Sequence, residues 1–540
     1  MPEYRWPDYL YPAWSTTFPA VLRLLVSAIT GVGLALAFNW FYFPLYAWVS
    51  IGVLLMMVFG TTPRVAFFCG YLHTVAFVLA SVPWIAEVLA VHGGMSRLAG
   101  WGVLLLIAAV LGILTAVFTW TVHRISQRSI LLACVAAPFV WVAMEFTRAH
   151  MPEISFPWNL LGYSAAANSA FLQSTTLTGI YGLSFLMMAF NSLLAWADAA
   201  KTVSVQKRAT IVGASSAIIL IIAFLGPRFL PQSHPSHLAR AVQPNFPEVD
   251  SYPPDWFEVH KLDLDELEEL SLQPTPRRVP GFVLTNSGLS SPDLIIWPEV
   301  PAPFSWEDNH FSIIASSLAT RAGHPFLAGD VEWKQESLAN GHTGQAPYNS
   351  AVLVDTQGQR IFTYDKRHLV PFGEYEPFPL IHRVVQSVSD EVGGFHKGST
   401  ASVGKLPGGY KFGVYICYEA IYPGEVREFA ANGANLLINI SNDGWFGESA
   451  AAQQHLLMAR VRAVENRRWV LRVTNSGLTA AIDPYGRIDQ RIPRDVRGAI
   501  DLPYDFRTDI TLYTRFGDWF AWMCVLVSVI LVLQTFWKRK

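Results

Sequence analysis

The sequence predicts a membrane bundle of eight α-helical spans that carries one α/β domain between its seventh and eighth spans. The chain is 52% hydrophobic and only 15% charged, which is too apolar for an ordinary soluble protein. The long uncharged runs concentrate in residues 1–230 and 512–540, whereas residues 231–511 have ordinary globular composition. Strand-like and helix-like runs alternate through that middle region, as expected of an α/β domain.

Eight apolar runs approach the length needed to cross a bilayer, about 20 residues. An alternative is that some of them are buried helices of a large soluble domain. Seven such runs in succession leave no polar faces to cover them, and the 19 tryptophans suit anchors at a membrane interface. The predicted spans are Val21–Phe38, Phe41–Gly60, Val65–Leu89, Trp101–Val122, Ile130–Phe146, Thr176–Ala197, Ala209–Leu225 and Trp519–Trp537.

The basic residues of the short connections predict the orientation of the chain. Alternate connections are basic, and the opposite set carries mainly Arg97 and Arg148. Because cytoplasmic loops carry the excess of lysine and arginine, both termini are expected in the cytoplasm and residues 231–511 on the outer side. The basic positions are Arg64, Arg124, Arg128, Lys201, Lys207, Arg208 and the C-terminal Lys538-Arg539-Lys540.

The middle region predicts a sheet covered by helices, in one domain. Runs rich in Val and Ile and bounded by Pro, Gly and Asn predict strands at His237–Gln243, Leu294–Trp297, Phe326–Ala328, Ser350–Val354, Phe412–Ile416, Asn435–Ile440, Trp469–Val473 and Leu478–Ile482. Helices are predicted at Phe311–Arg321, Gly424–Ala431 and Ala451–Asn466. The segments Thr356–Gln359 and Asp483–Gly486 read as turns between strands.

Charge and cysteine usage exclude several classes of function. A formal charge of −2 gives no reason to expect nucleic-acid binding. Cys69, Cys134 and Cys524 lie inside the apolar runs, and only Cys417 lies outside them. Four cysteines so dispersed make neither a disulfide framework nor a zinc site. The 14 histidines form no metal-binding pattern, so no metal is expected.

Three strand ends carry a reactive group. Cys417 ends a strand at a turn, which suits a nucleophile. Glu299 follows an apolar strand and a proline, where partial burial makes a carboxylate a better base. Lys366 supplies a cation for a developing oxyanion. Each residue alone also has an ordinary interpretation, as a surface glutamate, a solvated lysine or a core cysteine.

Several sequence words in the same order resemble the nitrilase (carbon–nitrogen hydrolase) superfamily, and within it the apolipoprotein N-acyltransferases. The resemblance includes the arrangement of seven spans before the domain and one after it. The words are Trp297-Pro298-Glu299, residues 364–375 (YDKRHLVPFGEY), Ile416-Cys417-Tyr418-Glu419, residues 442–447 (NDGWFG), residues 454–465, Thr474-Asn475-Ser476-Gly477, residues 156–163 (FPWNLLGY) and residues 511–519.

This resemblance implies an αββα sandwich on a membrane bundle. By it, Glu299 is the general base, Lys366 stabilises the tetrahedral intermediate and Cys417 carries the acyl group as a thioester. A phospholipid donates that acyl group, and the N-terminal amine of a diacylglyceryl-cysteine apolipoprotein accepts it, in the bacterial inner membrane. The implied ping-pong reaction needs no cofactor.

The resemblance also assigns supporting residues. Glu374 matches a second glutamate near the site, and Tyr418 and Glu419 match residues that follow the nucleophile. Trp256 is the candidate for the tryptophan near the family's acyl site, although residues 242–256 match the family only loosely.

Residues 371–385 mix large apolar side chains with few charges, between two of these words. Phe372, Tyr375, Phe378 and Leu380 are therefore predicted to line a lid at the membrane surface. The alternative is an ordinary packed loop.

Two alternatives to the acyltransferase also stand: a membrane-tethered amidase of the same superfamily, and a transporter or scaffold with an inactive domain.

Overall fold

The computed structural model describes residues 18–39, 44–152, 155–249, 252–273, 291–337, 343–375 and 394–537. Contacts divide these residues into two compact units. The first unit takes its described residues from Met1–Glu87, Ser96–Leu230 and Phe516–Lys540. The second takes them from Val88–Met95 and Pro231–Arg515.

The first unit is helical. Its longer helices are apolar, as the hydrocarbon core of a bilayer requires. They are helical because that core offers the backbone N–H groups no partners except the backbone's own carbonyls. In chain order through residue 230 the described α-helices are α1 (Ala20–Asn39), α2 (Leu45–Val58), α3 (Pro63–Ser81), α4 (Trp84–Val91), α5 (Arg97–Ser126), α6 (Ile130–Ala149), α7 (Ser169–Leu172), α8 (Thr175–Thr178), α9 (Ile180–Ala199) and α10 (Val205–Leu225), and the last described helix is α17 (Trp519–Trp537). From Val88 onward, α4 belongs to the second unit.

Six of the described helices are long and apolar enough to cross a membrane: α1, α3, α5, α6, α9 and α10. The protein is therefore a multi-pass membrane protein. The apolar stretches of α2 and α17 fall below the length of a full span. At 14 residues α2 is about 21 Å long, against an apolar core of about 30 Å. The count of eight spans thus stays a prediction.

The predicted span Val65–Leu89 is wrong as a single helix. Helix α3 ends at Ser81, and α4 begins only at Trp84. Pro83 lies between them, and a proline disfavours helical backbone at the residue before it. Val82 accordingly leaves the helical region, with φ −132° and ψ 44°.

The segment between α6 and α7, residues 155–165, ends in a short 3₁₀ helix at Leu161–Ala165 and is held in place by buried polar groups. Glu145 Oε1 accepts from the backbone N–H of Leu161 at 2.7 Å, and Arg148 Nη2 donates to the carbonyl of Trp158 at 3.1 Å. Arg148, taken from sequence as a loop charge, is instead a buried residue of α6. Irregular backbone in a membrane bundle needs such partners, because no water is at hand.

The second unit is a sandwich of two six-stranded sheets. The strand orders are β12-β1-β2-β3-β4-β5 and β11-β10-β9-β8-β7-β6. The strands are β1 (His237–Gln243), β2 (Leu294–Ile296), β3 (Phe326–Ser337), β4 (Thr343–Val354), β5 (Arg360–Asp365), β6 (Val403–Lys405), β7 (Lys411–Ile416), β8 (Leu436–Ser441), β9 (Val470–Thr474), β10 (Thr479–Ile482), β11 (Ile488–Ile492) and β12 (Gly498–Tyr504). The helices are α11 (Trp256–Val259), α12 (Lys261–Leu272), α13 (Asn309–Ala322), α14 (Pro423–Ala431), α15 (Ala451–Asn466) and α16 (Leu512–Phe516).

Alternating side chains build the layers of this sandwich. On β2, Leu294 and Ile296 join the core between the sheets, whereas Ile295 packs with α12 and α13 on the other face. Strands with two apolar faces are buried on both sides. Helices α14 and α15 pack against the second sheet. The predicted αββα class is confirmed.

Several strand predictions were incomplete. β3 and β4 run far beyond Phe326–Ala328 and Ser350–Val354, because they pair with each other in a hairpin from Phe326↔Val354 to Ser337↔Thr343. The polar residues of this extension gave no strand pattern. Strands β6, β11 and β12 and helix α12 were not predicted, and β5 was predicted only by its end at Lys366.

Candidate active site

The ends of four strands place the polar groups of the site. Glu299 follows β2, Lys366 follows β5, Cys417 follows β7 and Asn442 follows β8. β2 is parallel to β3, and the two antiparallel steps from β3 to β5 restore the same direction. The carboxyl ends of β2 and β5 therefore lie at one edge of the first sheet, which brings Glu299 and Lys366 together.

Lys366 is the buried cation of the site, with 1% of its surface exposed. Its Nζ donates to Glu299 Oε1 at 3.0 Å and to Glu374 Oε1 at 2.8 Å. Burial alone would lower the pKa of Lys366, but the two carboxylates outweigh burial and hold it well above its ordinary value. The ammonium stays charged, and its third N–H is left for an incoming oxygen.

Glu299 and Glu374 are held on both of their oxygens. Asn349 Nδ2 donates to Oε1 of each carboxylate, at 2.8 Å for Glu299 and 2.7 Å for Glu374. The second oxygen of Glu299 accepts from the backbone N–H of Asn442 at 2.8 Å, and that of Glu374 from Val370 at 2.7 Å. Glu299 has only 6% exposure, so its orientation is fixed before substrate arrives.

Cys417 is a buried thiol on strained backbone. Its φ is 48°, in the left-handed region that side chains other than glycine rarely adopt. Burial and the nearby charge of Glu299 raise the pKa of the thiol well above its ordinary value, and Lys366 partly offsets them. The resting sulfur is therefore protonated at neutral pH and needs a base to become a nucleophile.

The two residues after Cys417 support the turn. The Glu419 carboxylate accepts from the Tyr364 hydroxyl at 2.7 Å and from the backbone N–H groups of Arg367 at 2.6 Å and Ile416 at 2.7 Å. Burial raises the pKa of Glu419 to about 7. Glu419 thereby links the strand ends that carry Lys366 and Cys417. Tyr418 is buried and meets Tyr422 edge-on at 5.5 Å.

Sequence reasoning missed three polar residues of this site. Asn349 lies inside the unpredicted part of β4, and Asn442 acts on Glu299 through its backbone, which no side-chain pattern reveals. Glu248 accepts from Asn442 Nδ2 at 3.0 Å and from Asn475 Nδ2 at 3.1 Å. Burial raises the pKa of Glu248 to about 7. The available signals were Asn349, directly before the predicted strand Ser350–Val354, and Asn442-Asp443, directly after β8.

Trp256 belongs to the apolar cluster on the outer face of the first sheet. Its indole stacks on His260 at 4.5 Å and meets Phe246 edge-on at 5.5 Å. Trp256 as an acyl-chain contact stays a prediction.

Only the start of the predicted lid lies within the described residues. Phe372 has φ 63°, and its N–H donates to the carbonyl of Tyr375 at 2.8 Å. The tight turn that they close contains Glu374, the partner of Lys366. Lys397 Nζ lies 4.7 Å from the centre of the Tyr375 ring. Phe378 and Leu380 lie outside the described residues, so the lid stays a prediction.

Within the described ranges, no group of three or more His, Cys, Asp and Glu side chains is arranged to hold a metal ion. The chemistry that this site offers is that of a buried thiol beside a carboxylate and an ammonium. Such a set suits acyl transfer through a covalent intermediate.

Comparison with known proteins connects both halves of the chain to one family. Residues 290–503 match the carbon-nitrogen hydrolase model, and residues 30–193 match the apolipoprotein N-acyltransferase N-terminal domain. The apolipoprotein N-acyltransferase of Geobacter metallireducens is 29% identical over 97% of both chains. That of Allorhizobium ampelinum is 31% identical over 79% of this chain and 77% of its own.

Among solved structures, an amidase from Nesterenkonia sp. aligns with 51% of this chain and 94% of its own, at 16% identity and a TM-score of 0.35.

Proposed function

This chain belongs to the apolipoprotein N-acyltransferase family, and on that premise we propose how its site carries out lipoprotein N-acylation. An acyl chain passes from a membrane phospholipid to Cys417, and then to the N-terminal amine of a diacylglyceryl-cysteine apolipoprotein. The observation that carries this proposal is the buried Glu299–Lys366–Glu374 cluster beside a buried, protonated thiol.

In the first half-reaction, Glu299 takes the proton from the thiol as Sγ attacks the ester carbonyl carbon. The oxyanion of the tetrahedral intermediate accepts the remaining N–H of Lys366. The ester C–O bond then breaks, and Glu299 returns the proton to the leaving alcohol. The products are a lysophospholipid and a thioester on Cys417.

In the second half-reaction, the neutral amine of the acceptor attacks the thioester. Glu299 takes a proton from the attacking nitrogen, and Lys366 again stabilises the oxyanion. The C–S bond breaks, an amide is formed, and the proton returns to the sulfur. A thioester preserves the acyl-transfer potential of the ester, so both steps proceed without an added energy source.

Glu374 and Asn349 have positioning roles in this scheme. Glu374 contacts Lys366 and Asn349, and Asn349 in turn contacts Glu299. Together they fix Glu299 and Lys366 relative to one another. Glu419 fixes the turn that carries Cys417. Trp256, Phe372, Tyr375, Phe378 and Leu380 remain the proposed contacts for the acyl chain and the lid.

Mass spectrometry of products tests this function directly. Purified protein is incubated with a phospholipid and a synthetic diacylglyceryl lipopeptide, and N-acylated peptide with an equal amount of lysophospholipid is expected. The amidase alternative predicts release of ammonia from small amides and no N-acylated peptide. That pattern would refute acyl transfer.

We predict that Gly329→Ala slows turnover by displacing Glu299. A Cβ at Gly329 would lie 2.5 Å from Val300 N, 2.7 Å from Pro298 O and 2.8 Å from Glu299 Cα. All three are backbone atoms, so the segment that carries the base must move. A displacement of about 1 Å costs about 100-fold in rate. Steady-state kcat and the melting temperature are measured together.

Gly213→Ala is the matched control, because a Cβ there meets no atom within 4 Å. It is expected to keep wild-type kcat. An unchanged kcat in Gly329→Ala would show that the position of Glu299 tolerates this shift and would count against its role as base.

The orientation of the chain in the bacterial inner membrane is part of the proposal. Arg23 Nη1 donates to the carbonyls of Met57 at 2.7 Å and Phe59 at 3.1 Å, at the C-terminal end of α2. Arg128 Nη1 donates to Gln534 O at 2.6 Å, at the C-terminal end of α17. These contacts support one basic end of the bundle. By the excess of lysine and arginine in cytoplasmic loops, we take this end as cytoplasmic, with both termini on that side and the catalytic domain on the other side of the membrane.

Reporter fusions test this orientation. Alkaline phosphatase fused after Asp365 is expected to be active, because the enzyme folds only outside the cytoplasm, and a fusion after Lys201 is expected to be inactive. The reverse pattern would place the catalytic domain in the cytoplasm and remove its access to exported lipoproteins.

A further inference from the structure

His455, on helix α15, contacts the backbone of the nucleophile. Its Nε2 lies 2.9 Å from the carbonyl oxygen of Cys417, and its Nδ1 lies 3.0 Å from Asp443 Oδ1. A carbonyl oxygen only accepts, so Nε2 is the donor of the first contact. Burial and the charge of Arg472 lower the pKa of His455, so the ring is neutral and its Nδ1 accepts from Arg472 Nη2 at 3.2 Å. The His455 and Asp443 side chains have 0% exposure, so water does not compete for these bonds.

The charged Asp443 fixes Arg472, the residue that donates to His455. Arg472 Nη2 donates to Oδ2 at 2.5 Å, and Ser441 Oγ donates to Oδ1 at 2.9 Å. Burial alone would raise the pKa of Asp443, but the charge of Arg472 holds it well below its ordinary value. Gly477 packs so closely that an added Cβ would lie 2.3 Å from Oδ2.

The peptide group that His455 holds is the one that follows the strained residue. Cys417 has φ 48°, a conformation that persists only where the surroundings impose it. The peptide is planar and trans, so fixing its C=O also fixes the Tyr418 N–H, which points the opposite way. In nucleophile elbows the N–H after the nucleophile is a donor to the oxyanion.

We propose that His455, anchored by Arg472, is a positioning residue that holds the Cys417–Tyr418 peptide group in its strained orientation. The bond fixes the direction in which the thiol is presented and the direction of the Tyr418 N–H, which donates to the tetrahedral oxyanion. The inference rests on the proposed role of Cys417 as the nucleophile. It assigns to His455 an effect on the acylation step and none on donor binding.

Two substitutions of similar polarity separate this role from a packing role. The side-chain nitrogen of His455→Gln reaches the place of Nε2 and is expected to keep the bond to Cys417 O. His455→Asn is too short to reach it. Single-turnover acylation of Cys417 is followed by intact mass, with full-length protein and a dipalmitoyl phospholipid in detergent micelles. The single-turnover rate is expected to fall about 100-fold in His455→Asn, the typical loss for one oxyanion donor, with the half-saturating donor concentration unchanged. His455→Gln is expected to stay within about threefold of wild type.

Met458→Ala is the control for a packing defect, because Met458 is fully buried on the same helix. It is expected to lower the melting temperature while sparing the acylation rate. A wild-type rate in His455→Asn would overturn the inference. Equal rate losses in His455→Gln and His455→Asn, or a loss in Met458→Ala that matches theirs at equal melting temperature, would also overturn it. Absence of an adduct in the wild-type protein would overturn both this inference and the role of Cys417.

Discussion

Replacing Cys417 by alanine is expected to abolish lipoprotein acylation while leaving the protein folded. In the proposed mechanism the sulfur is the one atom, among the described residues of the site, that carries the acyl group between donor and acceptor, so no slower route is expected. Cys417→Ser is expected to fail as well, because a buried hydroxyl is far less acidic than a thiol beside the same base. Product formation and the melting temperature of each variant are measured in the same preparation.

Cys134→Ala is the matched control for this experiment. Cys134 is also buried, but it lies on α6 in the helical unit. It is expected to retain wild-type acylation. Residual turnover in Cys417→Ala, at more than the uncatalysed rate, would show that the donor and acceptor react without a thioester on this residue.

Substitutions of Glu299 and Lys366 are expected to give large losses with different pH profiles. Glu299→Gln removes the base and is expected to slow acylation of Cys417 about 10²- to 10⁴-fold. It also removes a negative charge that raises the thiol pKa, so the residual rate is expected to rise with pH as the thiolate becomes populated.

Lys366→Met is expected to slow both half-reactions about 10²- to 10³-fold, the typical loss for an oxyanion-stabilising group. Lys366 lowers the pKa of the Cys417 thiol, so its loss raises that pKa further. The rate of Lys366→Met is therefore not expected to recover between about pH 7 and 9, a range that includes the ordinary pKa of a thiol. Single-turnover rates of thioester formation and of amine transfer across this range check both variants. Identical pH profiles for the two would contradict the division of roles.

The position of the site followed from the sequence because its residues stand next to strands with a clear pattern. Leu294–Ile296 and Lys411–Ile416 are short buried runs, and Glu299 and Cys417 lie within three residues of their ends. The short sequence motifs around Glu299 and Cys417 also carried the resemblance to the apolipoprotein N-acyltransferases, which the comparisons confirm. What linked Glu299 to Lys366 was the direction of β5, and the sequence predicted only the end of that strand, not its pairing.

Other features depend on pairing rather than on local pattern. The outer halves of β3 and β4 are polar and become strands only by hydrogen bonding to each other. β6 is three residues long and contains glycine and lysine. Helix α12 could have been predicted from the sequence, since Leu264, Leu267 and Leu270 recur at helical spacing; all three are buried. The contact of His455 with Cys417 joins residues 38 apart, and no local signal indicates it.

The central claim is that Cys417 carries the acyl chain as a thioester, and intact-mass measurement tests it most directly. Wild-type protein is incubated with a phospholipid of one defined acyl chain and no acceptor, and its mass is recorded before and after addition of a lipopeptide amine. A gain of one acyl group is expected, mapped to Cys417 and cleaved by neutral hydroxylamine, which attacks thioesters. Addition of the amine is expected to return the protein to its starting mass and to place the same acyl chain on the peptide. An acylated peptide formed while the protein mass never changes, or an adduct that maps elsewhere and persists after the amine is added, would contradict the account.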